Sequence, residues 1–78
     1  CAAPTIFGKL GLLKGLNYTC FTSMDEDFGG NYVNKYAVKD KNIITGISAA
    51  GTIDFAFLII ETLLGEEKAK SVKNSIYY

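Results

Sequence analysis

Apolar clusters alternate with polar, glycine-marked breaks along this chain, and the spacing within each cluster predicts an element. Behind Pro4, a residue the first helical turn tolerates, Ile6, Leu10 and Leu13 recur at helical spacing with Phe7 beside them. Gly15 offers a C-terminal stop, so a first helix is predicted over residues 4–15. Gly8 and Gly11 weaken its propensity but permit close packing against a flat partner such as a sheet. Tyr18-Thr19-Cys20-Phe21-Thr22 is aromatic and β-branched, which predicts a short strand. Ser23 to Asn31 is polar, carries the acidic run Asp25-Glu26-Asp27 and closes on Gly29-Gly30, the composition of a loop. Tyr32-Val33 and Lys35 to Val38 have strand character. The turn residues Asp40-Lys41-Asn42, flanked by Val38 and by Ile43-Ile44-Thr45, predict a hairpin.

After the small-residue stretch Gly46 to Gly51, the strongest pattern in the chain predicts a helix over Thr52–Leu64, with Thr52 or a neighbour as cap and Gly65 as stop. Phe55, Phe57, Leu58, Ile59, Ile60, Leu63 and Leu64 wrap nearly all around it. A helix apolar on every side is one that is covered on every side, and a lone chain this short has little with which to cover it. Glu66 to Asn74 reads as a second, amphipathic helix ahead of an Ile76-Tyr77-Tyr78 tail. The order helix, strand, strand pair, helix, helix is an incomplete α/β arrangement that calls for further, parallel strands from elsewhere.

Composition narrows the function classes. The chain has 78 residues, room for one small domain, and eight Lys balance eight Asp and Glu without any Arg. A net charge near zero supplies no electrostatic attraction to nucleic acid or to an anionic membrane. The apolar stretch Ile53 to Leu64 is too short to span a bilayer, which takes about 20 residues. Without His, no Cys-His dyad, Ser-His-Asp triad or His-based zinc site can be assembled from this chain alone. Cys1 and Cys20 alone make a poor metal site, so no metal is expected. One possible bridge in so apolar a chain is unlike a disulfide-dense secreted scaffold, which favours free thiols and a reducing compartment.

The candidate chemistry sits at Cys1. A cysteine followed by small residues, Pro4 and a helical pattern is how a nucleophile elbow looks: a strand ends, the reactive side chain projects, and a helix begins beneath it. The strand that should precede Cys1 is not in this chain, so its context is expected to lie partly upstream. A thiol attacks as its thiolate, and a position just before a helix favours that form. The backbone N–H of Ala2 points the same way and is the candidate oxyanion donor. Attack on an aldehyde or ketone carbon yields a hemithioacetal, attack on an amide opens hydrolysis, and a peroxide converts the same thiolate to sulfenic and then sulfinic acid. The plainer readings are a cleavage scar without chemistry at Cys1 and a buried strand residue at Cys20. The functional alternative for Cys20 is a resolving thiol for oxidised Cys1.

Taken in order, Cys1-Ala2-Ala3-Pro4-Thr5, Gly11-Leu12-Leu13-Lys14-Gly15 and Tyr18-Thr19-Cys20-Phe21 resemble the nucleophile elbow, following helix and next strand of the DJ-1/PfpI/ThiJ superfamily, class I glutamine amidotransferase-like proteins. Asn42-Ile43-Ile44-Thr45-Gly46, Ala50-Gly51-Thr52-Ile53-Asp54-Phe55-Ala56 and Leu63-Leu64-Gly65-Glu66-Glu67-Lys68-Ala69 are similar to its closing strand, small-residue loop and C-terminal helix. The resemblance implies that residues 1–78 are the C-terminal part of a single domain. That part would be the C-terminal half of a flavodoxin-like three-layer α/β/α sandwich, completed by an N-terminal segment not in this chain. It further implies a cytoplasmic homodimer, no cofactor, and a small carbonyl substrate attacked by Cys1. The upstream segment would supply an acidic partner for the cysteine and a glycine N–H for the oxyanion. Two departures stand out. Ile47-Ser48-Ala49-Ala50-Gly51-Thr52 replaces the Ser-Arg-Gly-Pro-Gly-Thr of many members, and Phe21-Thr22 lies where many have His or Tyr-Pro.

The leading expectation is a glyoxalase- or deglycase-type enzyme. A redox sensor or chaperone of the same family is the alternative, and a PfpI-type peptidase or amidase or a thiamine-related ThiJ-like role stands behind it. Were Cys1 a mature N-terminus, an N-terminal nucleophile hydrolase or a lipidated lipoprotein would follow instead. Neither accounts for the all-round apolar helix.

Overall fold

The computed structural model describes residues 1–78 throughout. The first helix, α1, spans Pro4–Lys9, shorter than the apolar stripe predicts. Gly11 and Gly15 take φ of +77° and +72°, values that end a right-handed helix. Residues 10–15 continue as turns, with the Leu12 N–H on the Phe7 carbonyl at 2.9 Å. Leu13 completes the stripe from outside the helix and is fully buried.

The strand expected over Tyr18–Thr22 contracts to β1, Asn17–Tyr18, which pairs in parallel with β2, Asn31–Tyr32. The ladder stops because the next donors go elsewhere: the Thr19 N–H to the Thr45 hydroxyl at 2.9 Å and the Phe21 N–H to the Cys1 carbonyl at 2.7 Å. The hairpin forms as expected from β3, Ala37–Asp40, and β4, Ile43–Gly46, antiparallel with Val38 opposite Thr45. Lys41 takes the positive φ of +53° that the tight turn demands.

Ala49–Gly51 forms a 3₁₀ turn capped by the Ser48 hydroxyl, which accepts from the Ala50 N–H at 3.2 Å. Helix α2 runs over Thr52–Leu64, the span read from the sequence, although its N-cap is Gly51 without a side-chain cap bond. Gly65 separates it from α3, Glu66–Ser75. Helix α2 packs across β3 and β4 and against α3, while β1 lies beside β3. Tyr78 folds back onto α2, its ring 5.4 Å from that of Phe57 and its hydroxyl donating to the Asp54 carboxylate, whereas Tyr77 is solvated.

Two kinds of interior result. Leu13, Tyr18, Cys20 and Phe28 make a closed core between the α1–β1 connection and the β1–β2 pair, with Tyr32 and Ile43 against it. Around α2 only Phe57 is buried; Leu63 and Leu64 remain 74% and 64% exposed. Only 13 of 78 residues are buried, and the radius of gyration is 13.0 Å against about 11.5 Å for a compact chain of this length. The chain therefore leaves much of its apolar surface uncovered.

Candidate functional site

Cys1 is exposed at the start of α1, with both of its backbone polar groups held. Its nitrogen donates to the Gly46 carbonyl at 2.6 Å, at the end of β4, and its carbonyl accepts from the Phe21 N–H beyond β1. These two bonds fix the cysteine between two segments that lie far from it in sequence. The turn that follows is tied down as well: the Ala2 carbonyl accepts both the N–H and the hydroxyl of Thr5, at 3.0 and 2.7 Å, and the Ala3 carbonyl accepts the Ile6 N–H. Ala3, the N-cap, is helical in φ and ψ and makes no side-chain cap bond. The Ala2 N–H donates to no carbonyl of the chain.

Cys1 opens onto a groove of about 740 Å³ between α1, β4 and the start of α2. Ile6, Phe7, Ile44 and Phe55 supply its apolar walls, and Cys1, Thr45, Ser48 and Thr52 its polar atoms. Three of those hydroxyls are already engaged. Thr45 accepts from Thr19 and donates to the Val38 carbonyl at 3.5 Å, Ser48 caps the 3₁₀ turn, and Thr52 donates to the Ala49 carbonyl at 2.7 Å. No carboxylate lines the groove, so within this chain no acid partners the Cys1 thiol there. No three His, Cys, Asp or Glu side chains gather anywhere as a metal-binding group. No helix is long and apolar enough to cross a membrane.

Cys20 lies in the closed core, fully buried, its thiol donating to the Phe21 carbonyl at 3.5 Å. Burial pushes this thiol above its ordinary value, and the Asp25 carboxylate adds to the shift. Sequence reasoning placed Cys1 and Ala2 at the site. It missed the contributions of Gly46, which anchors Cys1, and of Phe21, whose importance lies in its backbone rather than its side chain. Neither carries a sequence signal, because main-chain hydrogen bonds across such distances are set by the fold.

An α/β unit with a parallel strand pair, a hairpin flanked by helices and a cysteine at a strand-less elbow is part of a flavodoxin-like sandwich. Its similarity to a solved structure bears this out: a DJ-1 superfamily protein from Salmonella typhimurium, crystallised as a cysteine-to-alanine mutant, superposes with a TM-score of 0.78 at 34% identity over 99% of this chain and 43% of that one. The DJ-1/PfpI family model matches residues 1–62, and the chain belongs to that family. Among curated relatives, Protein dj-1beta of Drosophila melanogaster is 37% identical over 97% of this chain and 42% of its own length. Protein DJ-1alpha of the same fly is 38% identical over 100% and 37%, and Protein DJ-1 homolog B of Arabidopsis thaliana 33% over 97% and 18%. The chain thus spans less than half the length of these relatives.

Proposed function

We propose that residues 1–78 form the C-terminal part of a single DJ-1/PfpI-type domain in which Cys1 is a nucleophile toward small reactive carbonyl compounds. The observation that carries this reading is an exposed Cys1, anchored through its backbone at both ends, on the rim of an apolar groove. The thiolate adds to an aldehyde carbon, the carbonyl π pair moves onto oxygen, and the resulting oxyanion takes a proton to give a hemithioacetal. The Ala2 N–H, free of any carbonyl of the chain, supplies a donor for that oxyanion. The proton carrier is an acidic residue from a segment preceding Cys1, since the groove has no carboxylate of its own. That segment, a homodimeric assembly and a cytoplasmic setting are parts of the same proposal.

The test is turnover of methylglyoxal by the protein and by Cys1→Ser. Loss of turnover to the uncatalysed background in the variant supports the enzyme reading. A wild-type protein whose Cys1 is rapidly alkylated but which turns over no dicarbonyl overturns it in favour of the redox-sensor reading, which uses the same exposed thiol.

A further inference from the structure

The two cysteines of this chain are close in space for a reason visible in the backbone. The Phe21 N–H, the amide that follows Cys20 directly, donates to the Cys1 carbonyl at 2.7 Å. That bond sets residue 20 directly beside residue 1, and a disulfide needs Cα atoms within roughly 4.4–6.8 Å.

We propose that Cys20 is the resolving thiol for Cys1, so that a Cys1 oxidised by a hydroperoxide is captured as an intramolecular Cys1–Cys20 disulfide. The proposal rests on the reactivity assigned to Cys1 above and goes beyond it in giving Cys20 a chemical role. In the first step the Cys1 thiolate attacks the terminal peroxide oxygen and the O–O bond breaks. Cys1 becomes a sulfenic acid, and the leaving oxygen departs as water (or as alcohol from an organic peroxide) after taking up a proton. In the second, the Cys20 sulfur attacks the Cys1 sulfur, the S–O bond breaks, and hydroxide leaves as water with the proton of the Cys20 thiol. Two thiols are oxidised by two electrons and one peroxide is reduced.

Cys20 is placed for a short excursion rather than a large one. It is the last buried residue of its segment, and every residue from Phe21 to Asp27 is exposed. Its thiol is held only by the 3.5 Å bond to the Phe21 carbonyl. Rotation of the Cys20 side chain, with the Phe21 N–H still on the Cys1 carbonyl, is the movement required, and it leaves Leu13, Tyr18 and Phe28 in their mutual contacts. The same burial keeps Cys20 protonated and silent until Cys1 has been oxidised.

The experiment treats the purified protein with hydrogen peroxide, blocks remaining thiols under denaturing conditions and analyses the unreduced digest by mass spectrometry. A parallel sample receives iodoacetamide without peroxide. The expected result is fast alkylation of Cys1, then, on oxidation, a loss of two hydrogens and a linked peptide pair joining Cys1 to Cys20. The yield of that pair should not depend on protein concentration. In Cys20→Ala and in the size-conserving Cys20→Ser, Cys1 should instead gain two oxygens as a sulfinic acid. A reactive Cys1 that gains oxygens in the wild type while Cys20 stays free overturns the resolving role and leaves the reactive-thiol reading intact. A Cys1 that neither alkylates nor oxidises overturns both.

Discussion

The closed core and the open groove are joined through Thr45, which lines the groove and accepts from the buried Thr19 N–H, and they are built on opposite terms. In the core, Leu13, Tyr18 and Cys20 are at most 2% exposed and rely on residues of this chain alone. Along the groove, Ile6 is 61% and Phe7 40% exposed although both are as apolar as anything in the core. Hydrophobic burial stabilises by area removed from water, roughly 25 cal/mol per Å², so the groove residues contribute little to the fold as it stands. The contrast separates what holds this chain together from what it offers to other groups, and Cys1 lies on the second side of that line.

The largest expected effect breaks the core. Leu13→Ala removes a fully buried side chain and should cost about 2–5 kcal/mol, against a total of about 4–12 kcal/mol for a domain of this size. Ile6→Ala, at the groove, should stay within about 0.5 kcal/mol. Urea denaturation of the two variants measures the difference, and equal losses would mean that the groove is filled in solution.

A smaller effect tests the joint between the two regions. Thr45→Val keeps the shape but removes the acceptor of the buried Thr19 N–H, for an expected loss of about 1–3 kcal/mol. Thermal unfolding of the variant reads this out. A neutral result would mean that water or the Thr19 hydroxyl, itself buried without a partner, rearranges to serve.

The smallest effect is in pH. Burial is the main cause that raises the Cys20 thiol above 9.0 and the Tyr18 hydroxyl above 10.0, their ordinary values. A group whose folded pKa is raised contributes stability that is fully present below its unfolded pKa and is lost as pH rises through the folded one. Melting temperature should therefore begin to fall above about pH 9 on this account. Cys20→Ala should remove the earlier part of the decline, and an unchanged slope in that variant would show that the thiol does not ionise on unfolding.

Much of the architecture is legible in residues whose pattern is local. The apolar run from Ile53 to Leu64 between Gly51 and Gly65 marks α2 to the residue, and Asp40-Lys41-Asn42 between Val38 and Ile43 marks the hairpin. The errors fall where local preference competes with distant partners. Leu13 continues a helical stripe, yet Gly11 and Gly15 end the helix and the core takes Leu13 from a turn. Tyr18 to Thr22 has strand composition, but the Thr19 and Phe21 amides are claimed by a side chain and by Cys1, so no ladder forms beyond Tyr18.

The sequence by itself determined the helices α2 and α3, the hairpin, the family and the identity of Cys1 as the residue to watch, because each is written in short-range spacing or in contiguous motifs. The tertiary structure alone decided that Gly46 and Phe21 hold Cys1, that Cys20 comes to lie beside it, and which apolar residues stay uncovered. These depend on backbone hydrogen bonds and burial between segments far apart along the chain. Such contacts form when the chain closes on itself, and no local pattern encodes them.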